Sequence, residues 1–123
     1  MENQQMGPRD VGFVLSEPQG NYAVDTVVIA SGSGVLLPGT VLGKVSASGK
    51  FVKSPDAGAD GSEVGVAILA YKTDATSADA EALAYVRICE VKKDYLLYDA
   101  SVDTAGKVST KNAELKAAGI IVR

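Results

Sequence analysis

Short apolar runs separated by glycine dominate this chain. Thirteen glycines are spread over 123 residues, and β-branched residues are frequent in the runs between them, as in residues 25–30 (DTVVIA), 40–46 (TVLGKVS) and 63–71 (EVGVAILAY). β-Branched side chains favour strands, whereas glycine permits the tight turns that join them. This spacing predicts a mainly β domain rather than a series of alternating βαβ units.

The order of these runs predicts individual elements. Residues 40–46 and 51–53 are expected to form a hairpin with Gly49 at positive φ in its turn, followed by a polar loop over 54–62. The apolar run 63–71 predicts a strand covered on both faces. Residues 72–81 fit a loop or a short helix, and the sequence leaves both open.

The end of the chain carries further strand signals and the clearest helix signal. One strand is predicted over residues 82–91. For the helix, Thr110 is the predicted N-cap, Leu115 faces inward and Gly119 terminates the last turn as the C′ residue. Residues 120–122 (IIV) are then expected to return as a strand.

The absence of histidine excludes more chemistry than any other feature. The chain also lacks tryptophan and has one cysteine, Cys89. A Ser-His-Asp triad, a Cys-His dyad and a structural zinc site within one chain are therefore ruled out, as is an intramolecular disulfide. Cys89 lies in an apolar run and is predicted to be a buried, inert thiol. We expect a protein that is not an enzyme and has no cofactor.

The charge and hydropathy of the chain limit the classes of binding partner and the cellular compartment in which it is expected. The net charge is −3 and the pI is about 4.8, which disfavours binding to nucleic acid. Residues 1–10 lack the features of a signal peptide, and no apolar run approaches the roughly 20 residues that span a bilayer. We expect synthesis in the cytoplasm and no membrane partner.

Two segments have a weak likeness to ligand-binding loops. Residues 39–44 (GTVLGK) have the wrong spacing for a phosphate-binding loop and continue into a strand. Residues 56–61 begin like a calcium loop but lack its third ligand and its closing glutamate. A solvated acidic turn is favoured there, with adventitious Ca²⁺ binding through Asp56, Asp60 and Glu63 as the alternative, and no metal site is predicted.

Tyrosine is the main aromatic residue of the C-terminal half. Tyr85, Tyr95 and Tyr98 fit either an amphipathic contact surface or ordinary packing against the sheet. The sequence leaves both interpretations open.

The order of several motifs resembles one protein family. Residues 14–52 combine Glu-Pro-Gln-Gly (17–20), a Ser-Gly break, LPGTVLGK (37–44) and a Ser-Gly-Lys hairpin, and the chain closes on GIIVR (119–123). In this order of features the chain resembles the lambda-type bacteriophage head decoration proteins, also known as the capsid-stabilising protein D family.

The resemblance implies a small β-clip-like fold or incomplete barrel with one short helix near the C-terminus. It implies a homotrimer that binds the outside of the expanded phage head, cements the major capsid protein and stabilises the shell against internal DNA pressure. The expected location is the outer capsid surface of the virion, in a phage or prophage. The expected division is an N-terminal arm over residues 1–21, flexible until bound to the capsid, and a single decoration domain over 22–123.

Apolar side chains alternate over residues 11–15, a pattern that fits either an extended arm or simply the first strand of the domain. The family also implies that the arm pairs with a strand of the capsid protein. Strand addition takes its affinity from main-chain hydrogen bonds and its register from alternate side chains. The predicted capsid-binding set is Val11, Phe13, Leu15, Pro18 and Gly20. A virion-surface module that binds glycans or acts as an adhesin is the alternative function, and a small enzyme built on Asp, Lys and Tyr is a third.

Overall fold

The computed structural model describes residues 14–16, 24–87 and 89–123. In chain order the strands are β1 (Val14–Ser16), β2 (Val24–Ile29), β3 (Gly34–Leu36), β4 (Val41–Lys44), β5 (Phe51–Lys53), β6 (Gly65–Leu69), β7 (Thr73–Ala75), β8 (Ala80–Tyr85), β9 (Cys89–Val91) and β10 (Ile120–Val122). A 3₁₀ turn (Lys93–Tyr95) follows β9, and one α-helix, α1 (Ala105–Ala117), precedes β10. The predicted mainly β class with one helix near the C-terminus is confirmed.

Five strands form a closed barrel in the order β2-β5-β4-β6-β8. The predicted hairpin is present as β4 and β5, which pair antiparallel, and Gly49 in its turn has a φ of 73°. β2 pairs with β8 along its whole length, but it meets β5 at the single position Ile29↔Phe51. The barrel is therefore closed by a short seam between β2 and β5.

The remaining strands lie in two smaller sheets. One is a three-stranded sheet in the order β1-β9-β10, in which β9 is central, antiparallel to β1 and parallel to β10. The other is a ribbon of β3 and β7. The parallel pairing of β9 and β10 requires a crossover connection, and α1 lies within it.

The apolar side chains form two clusters. One lies under the helix and includes Val41, Ile68, Val91, Leu115 and Ile120, all at most 1% exposed. The second fills the barrel; its buried members are Val27, Ile29, Leu36, Leu42, Ala67, Leu69, Ala75 and Ala84. The prediction that residues 63–71 form a strand covered on both faces is confirmed for β6, where four of five residues are buried, but Val64 and Tyr71 on either side of it are exposed.

The helix starts earlier than the sequence predicts. Thr104, not Thr110, is the N-cap, and its side-chain oxygen accepts a hydrogen bond from the backbone N–H of Lys107 at 3.3 Å. Thr110 lies inside the helix, where its hydroxyl donates to the Gly106 carbonyl. Residues 105–110 are exposed or half-buried, so burial gives no signal for this part of the helix, and the cap at Thr104 sets its start. The predicted end is confirmed, since Gly119 follows the C-cap with a φ of 96°.

Two predictions between residues 72 and 91 are corrected. Residues 73–75 are strand β7, neither loop nor helix, because they pair with β3. The predicted single strand over 82–91 is two strands: β8 ends at Tyr85 in the barrel, and β9 starts at Cys89 in the other sheet. A continuous apolar run gave no signal for this change of sheet.

Candidate functional site

β1 (Val14–Ser16) is an edge strand of the three-stranded sheet. Val14 pairs with Val91 and Ser16 with Glu90, with an irregularity between the two pairs. Val14 is half-buried and packs against the cluster under the helix. Within the described residues β9 is the one neighbour of β1, so its other edge is available to a further strand.

The predicted capsid-binding residues fall mostly outside the described residues. Val11, Phe13, Pro18 and Gly20 lie there, and so does most of the predicted arm over 1–21. Leu15 is the middle residue of β1, which places its backbone at the sheet edge. The structure therefore places one predicted site residue in the first strand of the described chain, at the edge of a sheet of the domain.

Cys89 and the tyrosines occupy separate environments. Cys89 is 4% exposed, which confirms the predicted burial of the thiol. Tyr85 is also in the core, whereas Tyr95 is 53% exposed beneath the ammonium of Lys92. Tyr98 donates from its hydroxyl to Asn112 Oδ1 at 2.6 Å, and burial raises the pKa of this phenol. The three tyrosines therefore do not form one contact surface, and packing is the correct interpretation for Tyr85.

The carboxylates of the acidic loop are engaged within the chain. Asp60 Oδ1 accepts hydrogen bonds from the backbone N–H and the hydroxyl of Ser62, at 3.0 and 2.6 Å, and these bonds lower the pKa of Asp60. Glu63 accepts from the Gly61 N–H, and Asp56 lies 3.8 Å from the ammonium of Lys107. The part of the chain that the structure describes contains no group of three or more Cys, Asp or Glu residues arranged to hold a metal ion.

A buried lysine connects the helix to this loop. Lys111 is 1% exposed, and its ammonium donates to Ser54 Oγ at 2.9 Å and to the Glu63 carbonyl. Glu114 lies 3.4 Å from the same ammonium and accepts from the Gly65 N–H at 2.8 Å. We call Lys111, Ser54, the Glu63 carbonyl and Glu114 the lysine hub.

Sequence reasoning missed the lysine hub because lysine is almost never buried without partners, and those partners come from distant segments. The sequence did contain one signal for the buried lysine, which is its spacing from Leu115 along the helix. Lys111 lies four residues before Leu115, so both side chains project from the same face of the helix.

The seam between β2 and β5 borders an open groove of about 520 Å³. Asp25 and Arg87 form its outer rim through a bidentate ion pair, with nitrogen–oxygen distances of 2.6 and 3.3 Å. Lys44 and Phe51 line the opposite side. β5 starts only at Phe51, so within the described part of the chain residues 24–28 of β2 pair with no strand on the side of this groove.

Comparison with known proteins places the chain in a family. No curated protein matches it. Among the described residues, none of the helices is long and apolar enough to cross a membrane. The family model described as bacteriophage lambda head decoration protein D matches residues 3–120, which is nearly the whole chain. The protein therefore belongs to the family of phage head decoration proteins, which are structural components of the virion capsid.

Proposed function

We propose that this protein binds as trimers to the outside of the expanded capsid of its phage and stabilises that shell against the pressure of packaged DNA. The observation that carries the proposal is the family match, because it covers both the N-terminal segment and the barrel.

The proposed contact is strand addition by the N-terminal segment. Val11, Phe13 and Leu15 alternate in sequence, and β1 is an edge strand with one occupied side, which supports pairing of a capsid strand with the other side. Pro18 and Gly20 complete the proposed set of capsid-binding residues. Residues 1–21 are proposed as the arm, with the body following from residue 22.

Trimerisation would explain how a small contact stabilises a large shell. Three arms on one particle bind with a high effective concentration, so weak single contacts combine into tight attachment. A protein that binds the expanded lattice and not the unexpanded one stabilises the expanded state by mass action.

Co-sedimentation with expanded and unexpanded shells of the cognate capsid protein tests this function. We expect saturable binding to expanded shells, near one copy per capsid subunit, and no binding to unexpanded shells. Sedimentation velocity on the free and the bound protein tests the trimer. Absence of binding to both kinds of shell would overturn the proposal.

The arm is tested by paired variants. Phe13→Ser combined with Val11→Ser removes two of the alternate apolar anchors, and we expect weaker binding to expanded shells. Gln4→Ser combined with Gln5→Ser is the matched control, because it changes two polar residues of the same segment. Equal binding by both double variants would contradict the role of the arm residues.

A further inference from the structure

The open edge of β2 has a defined set of backbone groups. The Ala30 N–H donates to the Phe51 carbonyl at 3.0 Å, across the seam. Because the backbone groups of successive strand residues alternate in direction, even-numbered residues of β2 direct theirs toward the β5 side. The N–H and carbonyl of Thr26 and the N–H of Val28 therefore point into the groove.

These groups have no partner strand among the residues that the structure describes. Within the described ranges, the pairing of β2 with β5 is limited to Ile29↔Phe51. The backbone groups of the odd-numbered residues, in contrast, are directed toward β8, where Val27 lies opposite Ala82 and Ile29 opposite Ala80. One side of β2 is thus fully paired, whereas over residues 24–28 the other side pairs with no strand of the described residues.

The groove also has a charge preference. Lys44 lines it and is exposed, and no carboxylate of the described residues lies within ion-pair distance of its ammonium. Arg87 on the opposite rim is already neutralised by Asp25. The unmatched charge in the groove is therefore positive, which favours an occupant with a carboxylate near Lys44.

We propose that the edge of β2 from Val24 to Val28 is a second strand-addition site, which takes an extended, carboxylate-bearing segment of the phage capsid protein. This inference rests on the proposed function and extends it from the arm to the barrel. Pairing with β2 of another copy would require a two-fold axis, which a trimer lacks. An extended capsid segment with a carboxylate would satisfy both the backbone edge and Lys44.

Amide hydrogen exchange tests the site directly on the wild-type protein. In the free protein the amides of Thr26 and Val28 should exchange rapidly, and those of Val27 and Ile29 should be protected by β8. On expanded shells of the cognate capsid protein, we expect Thr26 and Val28 to become protected. Continued rapid exchange of both amides on fully decorated shells would overturn the proposal. Protection already present in the shell-free protein would also overturn it, because the edge would then be occupied without the capsid.

The affinity of variants for expanded shells tests the same edge of β2. Thr26→Pro removes a groove-facing N–H without removing a bond to β8, and we expect at least about tenfold weaker binding to expanded shells. Thr26→Val is the matched control, since it keeps the N–H and should bind like wild type. Lys44→Glu should also weaken binding, whereas Lys72→Glu, at an exposed position just before β7, should not.

The outcomes separate the two proposals. If wild type fails to bind shells, the proposed function fails. If wild type binds and the Thr26→Pro and Lys44→Glu variants bind equally well while remaining folded by circular dichroism, the β2 site alone fails. The exchange measurement needs no variant, so it remains decisive if Thr26→Pro does not fold.

Discussion

The ammonium of Lys111 lies 2.9 Å from the hydroxyl oxygen of Ser54, and each of the two residues is 1% exposed. Ser54 in turn donates to the Ser62 carbonyl at 2.8 Å. A lysine charge in the core is costly unless hydrogen bonds and an opposite charge surround it, and the lysine hub supplies both. The hub thereby ties the irregular loop after β5 to the helix, where apolar packing alone would leave polar backbone groups unpaired.

Replacement of Lys111 should be strongly destabilising. Lys111→Met keeps much of the volume but leaves the Glu63 carbonyl and Glu114 without their cation, and we expect a loss of about 3–5 kcal/mol in the free energy of unfolding. Lys116→Met, at an exposed position of the same helix, should change it by less than about 0.5 kcal/mol. Urea unfolding measures both. Equal stability of Lys111→Met and wild type would contradict the structural role of the hub.

Gly43 is required by a close approach of two backbones. A Cβ at this position would lie 1.9 Å from the Ser62 carbonyl oxygen, which is itself held by Ser54. Gly43→Ala should therefore destabilise the protein by about 2 kcal/mol or more, through overpacking and displacement of the loop. Gly106→Ala is the control.

The control glycine lies in open space. Gly106 is in the first turn of α1, and an added Cβ there meets no atom within 4 Å. We expect Gly106→Ala to be neutral or to stabilise by up to about 1 kcal/mol, because alanine loses less entropy in a helix. Thermal or urea unfolding of the two variants side by side should give opposite signs. A neutral Gly43→Ala variant would show that the loop does not approach β4 as described.

The position of the helix start can be tested with two threonines. Thr104→Ala removes the side-chain oxygen that caps the Lys107 N–H, so we expect a loss of about 1 kcal/mol. Thr110→Ala, within the helix, should be neutral or stabilising by a few tenths of a kcal/mol, about the difference in helix propensity. Urea unfolding distinguishes them. The reverse order of stabilities would favour a helix that starts at Thr110.

Asp60 should contribute to acid sensitivity. Its pKa is lowered from 3.8 in the folded state because the Ser62 hydroxyl and backbone N–H donate to the carboxylate. A depressed folded-state pKa stabilises the protein above pH 3.8, and this contribution is lost as pH falls through the lower value. Ser62→Ala removes the hydroxyl donor and should raise the pKa of Asp60 toward 3.8. NMR titration of the Asp60 carboxyl measures the pKa directly. An equal pKa in both proteins would contradict the assigned cause.

The local sequence determined most of the strands and the end of the helix. Alternating β-branched runs and glycines predicted β2, β4, β5, β6 and β10, because strand propensity and turn formation depend on a few adjacent residues. The end of the helix at Gly119 was also predictable, since positive φ is a property of glycine itself. The family followed from the order of these motifs, and the match over residues 3–120 confirmed it.

Tertiary structure alone decided where the chain changes sheets and which polar groups are buried. Tyr85 and Cys89 belong to one apolar run but to different sheets, because their pairing partners lie far away in sequence. Lys111 is buried because Ser54, Glu63 and Glu114 converge on it, and the open edge of β2 exists because β5 begins only at Phe51. Such features depend on contacts between distant segments, and the energy of those contacts is absent from any local pattern.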